Sequence, residues 1–240
     1  MINKILNPVL WDENNELKTG ISNVIFKIVD KFVEDLEVPI EIVDITLVGS
    51  NASYNYNEFS DIDIHIVVNT EVLPYDSKML KLFYNSARNK FNKDYNISIK
   101  KLAVELSIED VNSTVCSNGV YSVMNSMWIK EPVPITDTLY DMTETSAYQK
   151  LVSRIEDILQ NPSSESIKHM INNLYVIRKN SIMTDGEYGK GNLLFKAIRN
   201  SGLLQQLKEE LYNIISKELT FESMLEDMNI QGALKFNVED

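Results

Sequence analysis

A single cysteine, Cys116, is all the thiol chemistry in 240 residues. With no second thiol an internal disulfide framework is excluded, and a reducing, cytoplasmic setting is expected. Cys116 itself reads as a small buried or half-buried side chain. No run approaches the roughly 18 consecutive apolar residues that a membrane span needs, so no membrane association is expected. The stretch from Met1 to Pro8 lacks the apolar block of a signal peptide. Repeats, low-complexity tracts and Gly/Ser linkers are missing as well. Positive charge is scarce: 23 Lys and Arg against 35 Asp and Glu leave a net charge of −12. That balance disfavours a protein that grips long RNA or DNA through a broad basic surface, while leaving room for a local basic patch around one nucleotide.

What is present is ordinary globular material, 44% apolar and 24% charged, enough for a sizeable core. Ile21, Val24, Ile25, Ile28, Val29, Phe32, Val33 and Leu36 recur at helical spacing, predicting a helix over 20–36 that Pro39 breaks. Ile42 to Val48 is a β-branched strand ending at Gly49. Ile62 to Val68 is a second strand whose first half alternates, with Asp61, Asp63 and His65 on one face and Ile62, Ile64 and Ile66 on the other. A helix over 76–92 and a strand at Leu102 to Ser107 follow, then an extended or turn segment around Trp128. From about Thr143 the pattern becomes helix after helix. Asn161-Pro162-Ser163-Ser164 is a break, with Ser164 placed to cap the next helix, and Glu187 to Gly191 reads as a loop. The chain therefore divides into an α/β half, 1–140, and a helical half, 141–240.

The chemistry concentrates in residues 47–68. Positions two apart on a strand lie roughly 6.6 Å apart at Cα, so Asp61 and Asp63 can converge on the same hard cations. Two-metal phosphoryl transfer needs ions about 3.5–4 Å apart held by shared carboxylates. A third carboxylate should come from a neighbouring strand. Glu105 is the best candidate, because an acid inside the apolar run Ala103 to Leu106 needs a reason. Gly49-Ser50 follows a strand directly, where glycine permits close approach of the backbone to phosphate and the next groups can donate to it. Gly-Ser and Asp-x-Asp are each weak signals; their order and spacing carry the information.

Leu47-Val48-Gly49-Ser50-Asn51-Ala52 followed by Ser60-Asp61-Ile62-Asp63-Ile64-His65-Ile66-Val67 resembles the signature of the DNA polymerase beta-like nucleotidyltransferase superfamily. More loosely, three groups of segments resemble nucleotidyltransferase-like proteins of bacteriophages. They are Asn7-Pro8 with Trp11-Asp12, Gly119 to Ser122 with Trp128 to Pro132, and Asn192 to Lys196. The resemblance implies an α+β fold, with a small mixed β-sheet core, flanking helices and a C-terminal helical domain that closes the nucleotide cleft. It implies Asp61, Asp63 and Glu105 as catalytic metal ligands, although aspartate is commoner at the third position. It implies two Mg²⁺ ions, with Mn²⁺ as the alternative. Gly49, Ser50 and Ser60 would hold the nucleotide.

The expected reaction moves a nucleoside monophosphate from an NTP, ATP being the first choice, to an acceptor, with release of pyrophosphate. The acceptor is not named by the sequence; the acidic charge favours a small molecule or a protein over long nucleic acid. The competing reading is a catalytically weak or inactive module that keeps the fold and binds a nucleotide or a protein partner. An NTP brings about four negative charges to three carboxylates, and Gly49 to Val68 contains no Lys or Arg. Cations must then come from elsewhere, with Lys196 first and Lys190 second, and Arg199 sharing a helix face with Lys196. His65 reads as a polar neighbour of the carboxylates, His169 as exposed, Tyr54 and Tyr56 as core packing. The acidic stretch Glu226 to Asp240 reads as a solvated end.

Overall fold

The computed structural model describes residues 3–36, 40–71, 75–113, 115–134 and 142–220. Pro39 and the acidic stretch Glu226 to Asp240 lie outside the described residues. The backbone falls into two compact units, Met1–Tyr140 and Asp141–Asp240.

The first unit is a mixed sheet with helices packed on one face. Helix α1 (Thr19–Leu36) buries the apolar stripe that its sequence presents, with Ile25, Val29 and Phe32 nearly inaccessible. Strands β1 (Ile42–Val48) and β2 (Ile62–Val68) follow, and then helix α2 (Ser77–Asp94). The Asp76 side chain caps α2 by accepting from the backbone N–H groups of Lys78 and Met79. Strands β3 (Ser98–Ile99), β4 (Leu102–Asp110), β5 (Val120–Ser122) and β6 (Met127–Lys130) complete the sheet. Strand order is β3-β4-β2-β1-β5-β6, with β2 and β4 parallel and the other neighbours antiparallel.

β2 lies inside the sheet and shows why an alternating strand folds as it does. Ile62, Ile64 and Ile66 are fully buried in one core with Ile25, Phe32 and Phe91. Each contributes about 1.5–3 kcal/mol over its exposed state. Slipping the register by one residue would bury Asp63 and His65 instead, so the isoleucines dictate which face carries the polar groups. β4 runs three residues beyond the expected Ser107. The segment around Trp128, read as extended or turn, is the β5–β6 hairpin; both strands are too short for periodicity to declare them. Cys116 is exposed rather than buried.

The second unit is helical: α3 (Ser146–Gln160), α4 (Ser164–Asp185), α5 (Lys190–Asn200) and α6 (Leu203–Glu218). Its core gathers Ile155, Ile167, Leu174, Phe195, Ile198 and Leu207. The cap of α4 is Ser163, in a reciprocal box with Ser166, and Ser164 is already helical. The expected loop at Glu187 to Gly191 is a short 3₁₀ turn (Gly186–Tyr188) that leads straight into α5, so Lys190 is the first helical residue. No helix among the described residues is long and apolar enough to cross a membrane.

Candidate active site

β1 ends at Val48, and the chain reverses through Gly49 and a 3₁₀ turn, Ser50–Ala52. Gly49 has φ +73°, a conformation that L side chains rarely adopt. Space demands glycine too: a Cβ there would lie 2.0 Å from Asp63 Oδ2. The Asp63 carboxylate therefore rests against the glycine backbone, and the two halves of the motif interlock. The Gly49 N–H donates to Ser117 Oγ at 3.1 Å, tying the turn to the segment before β5.

Asp63 is the second residue of β2, paired with Val48 on one side and Glu105 on the other. Asp61 lies one residue ahead of β2, outside both strand ladders. One oxygen from each of Asp61, Asp63 and Glu105 can be chosen so that all three lie within 4.8 Å of one another. Asp61 and Asp63 are half-buried and Glu105 is exposed. Neither Asp61 nor Glu105 has an ion-pair partner among the described residues. Mg²⁺ binds hard oxygens at about 2.0–2.1 Å, which places ligand oxygens roughly 3–4 Å apart across one ion. Three converging carboxylates fit that demand in donor type, and their spread within 4.8 Å of one another comes near it in distance.

Ser60 is placed differently from Ser50. Its hydroxyl is buried, hydrogen-bonded to Ser50 Oγ at 2.9 Å and accepting from the Asn57 N–H at 2.9 Å. Ser60 thus fixes the Ser50 side chain from behind. Tyr54 packs against the core, as expected, and burial pushes the Tyr56 phenol above its ordinary range.

Next to the carboxylates lies a row of which the sequence shows only His65. Ser122, Thr46, His65 and Ser107 face one another across β5, β1, β2 and β4, two residues along from the Val48–Asp63–Glu105 row. From α2, Arg88 donates through Nη1 to Ser107 Oγ at 3.2 Å and through Nη2 to Asn89 Oδ1 at 3.0 Å. A cation therefore stands in this unit two residues from Glu105 along β4. No sequence periodicity pairs a helix arginine with a strand serine 19 residues on, so only the fold could show it. Burial, and secondarily Arg88, hold the His65 imidazole below its usual range, against the opposing pull of Glu109. Its buried Nδ1 has no hydrogen-bond partner among the described residues. His169 is exposed on α4. In the second unit, Lys190 opens α5, Lys196 lies midway along it and Arg199 is in its last turn.

Residues 27–113 match the family model described as a nucleotidyltransferase domain, a span holding the turn, both aspartates, Glu105 and Arg88. No curated protein matches the chain significantly. Among solved structures, the STING-associated CdnE c-di-GMP synthase from Capnocytophaga granulosa is similar at 14% identity over 84% of each chain, with a TM-score of 0.26. That likeness is too loose to bear on fold or activity.

Proposed function

We propose that this chain, whose residues 27–113 match a nucleotidyltransferase domain, transfers a nucleoside monophosphate from an NTP to an acceptor hydroxyl or comparable nucleophile. The observation that carries this reading is the convergence of Asp61, Asp63 and Glu105 beside the Gly49-Ser50 turn. In the reaction, an acceptor oxygen forms a bond to the α-phosphorus while the bond from that phosphorus to the bridging β-phosphate oxygen breaks. Pyrophosphate departs with that electron pair. Glu105, the exposed member of the three, is suited to take the acceptor's proton. Ser50 and the amides of its turn bind the triphosphate, with Ser60 holding the Ser50 hydroxyl in place. Lys196 and Lys190 are the proposed cationic contacts to phosphate.

Asp61, Asp63 and Glu105 would hold divalent ions, Mg²⁺ or Mn²⁺, which when bound supply Lewis-acid neutralisation of the phosphate charge. ATP is the proposed donor, and the net charge of −12 favours a small-molecule or protein acceptor over long nucleic acid. The test is incubation with each α-labelled NTP and a cell lysate, with and without Mg²⁺. Metal-dependent label on one acceptor is the expected result. Absence of transfer from every NTP with either metal would overturn the reading.

A further inference from the structure

Asp61 has no place in the strand ladders, yet its carboxylate must match that of Asp63. Its backbone carbonyl is held instead by a side chain: Asn51 Nδ2 donates to Asp61 O at 2.7 Å. Asn51 is completely buried. The orientation of its amide is set from the other end, where Asn7 Nδ2 donates to Asn51 Oδ1 at 2.7 Å. Asn7, only 5% exposed, is oriented in turn by the Val9 N–H, which donates to its Oδ1 at 3.0 Å. Each amide in this relay has one donor and one acceptor role assigned, so none can flip without setting two like groups face to face. Trp11 Nε1 donates to the Asn51 backbone carbonyl at 2.7 Å and pins the residue a third time. Asn3 extends the attachment, bonding through its side chain to the carbonyls of Tyr54 and Tyr56.

We propose that Asn51 is a positioning residue for Asp61, oriented by Asn7, so that the N-terminal segment Asn3 to Trp11 sets the metal-binding geometry. This rests on the metal role of Asp61 proposed above. Reversing one group in the relay should disturb that geometry. Asn51→Asp keeps the side-chain shape and offers an oxygen, not a donor, to Asp61 O. Asn7→Asp offers an oxygen to Asn51 Oδ1, which either repels it or turns the Asn51 amide around.

The test is calorimetric titration of the full chain with Mn²⁺ alone, for wild type, Asp61→Ala, Asn51→Asp, Asn7→Asp and the uncharged Asn7→Ser. Thermal unfolding identifies the folded variants. Expected is an affinity loss of about tenfold or more in both Asp variants, the range for groups that orient metal ligands. The direction is informative, because an added negative charge near a cation site would by itself tighten binding. In parallel, kcat should fall with the KM for NTP moving less than about threefold, since a group oriented for the transition state acts there. A folded Asn51→Asp or Asn7→Asp that binds Mn²⁺ like wild type, while Asp61→Ala does not, overturns the positioning role alone. If Asp61→Ala also binds like wild type, the metal reading falls with it. Should the Asp variants not fold, Asn7→Ser decides: weakened Mn²⁺ binding supports the relay and unchanged binding overturns it.

Discussion

Asp63 and Glu105 stand directly opposite each other on the parallel strands β2 and β4. The register that buries Ile62, Ile64 and Ile66 also puts these carboxylates side by side on the polar face. Glu105→Gln keeps shape and hydrogen bonding but removes charge and basicity. Turnover should fall on the order of a hundredfold or more while NTP affinity stays within a few-fold, because the lost contribution belongs to the transition state. Steady-state rates and equilibrium NTP binding read the two quantities separately. An unchanged rate would leave Glu105 as a surface acid within the run Ala103 to Leu106.

Asp61→Ala and Asp63→Ala should each abolish measurable transfer without unfolding the protein. Both remove one of three clustered like charges, so folding loses a repulsion as well as a side chain. Circular dichroism and a transfer assay in Mg²⁺ test this together. Near-wild-type turnover in either variant would contradict a shared metal site.

Gly49→Ala is expected to damage stability and activity at once. The backbone at φ +73° and ψ −157° lies in a region that essentially only glycine occupies, with a penalty of about 1–3 kcal/mol for an L-residue. The new methyl also takes the space of the Asp63 carboxylate, so the activity lost should approach that of Asp63→Ala. A Gly49→Ala protein with a normal melting temperature and normal turnover would show that turn and strand are not interlocked.

Lys196→Ala should weaken NTP binding by about 1–3 kcal/mol, the range for a hydrogen bond to a charged group, with Lys190→Ala the second choice. Fluorescent-NTP titration of each variant decides. Unchanged affinity in both would move the search for phosphate cations to Arg88, Arg178, Lys179 and Arg199.

A pH effect is expected at the far end of β4. The Thr70 hydroxyl, helped by the backbone N–H of Asn112, holds the Asp110 carboxyl below its ordinary value of 3.8. A depressed folded-state pKa contributes stability above the unfolded value, lost as pH falls through the folded one. Thr70→Val should therefore lower the urea midpoint at pH 6 and converge with wild type well below pH 3.8. An equal deficit at both pH values would mean that the hydroxyl packs rather than binds the carboxylate.

Much of the candidate site is legible because Asp61 and Asp63 continue one alternating pattern at the start of β2. Asp61, Asp63 and the buried isoleucines declare themselves by a period of two, and Glu105 by being an acid inside the apolar run Ala103 to Leu106. What escaped depends on tertiary pairing. Asn7 and Asn51 are 44 residues apart and belong to no periodic pattern. Arg88 reaches Ser107 over the edge of β4, with nothing in its own helix to announce it. Lys190 read as a loop residue because Gly189 and Gly191 flank it, yet the helix begins there. Cys116 reads as buried or half-buried because free cysteine tends to bury, and the segment before β5 leaves it exposed.

The chain has two tryptophans, and they are stacked on each other with ring centroids 4.6 Å apart. Tyr121 meets Trp11 edge-on at 5.0 Å, and Trp11 is the residue that pins Asn51. The indole emission of this protein therefore arises entirely from one coupled pair at the attachment of the N-terminal segment. Near-ultraviolet dichroism and intrinsic fluorescence act as a built-in optical gauge of that attachment, with no engineered label and no background from other tryptophans.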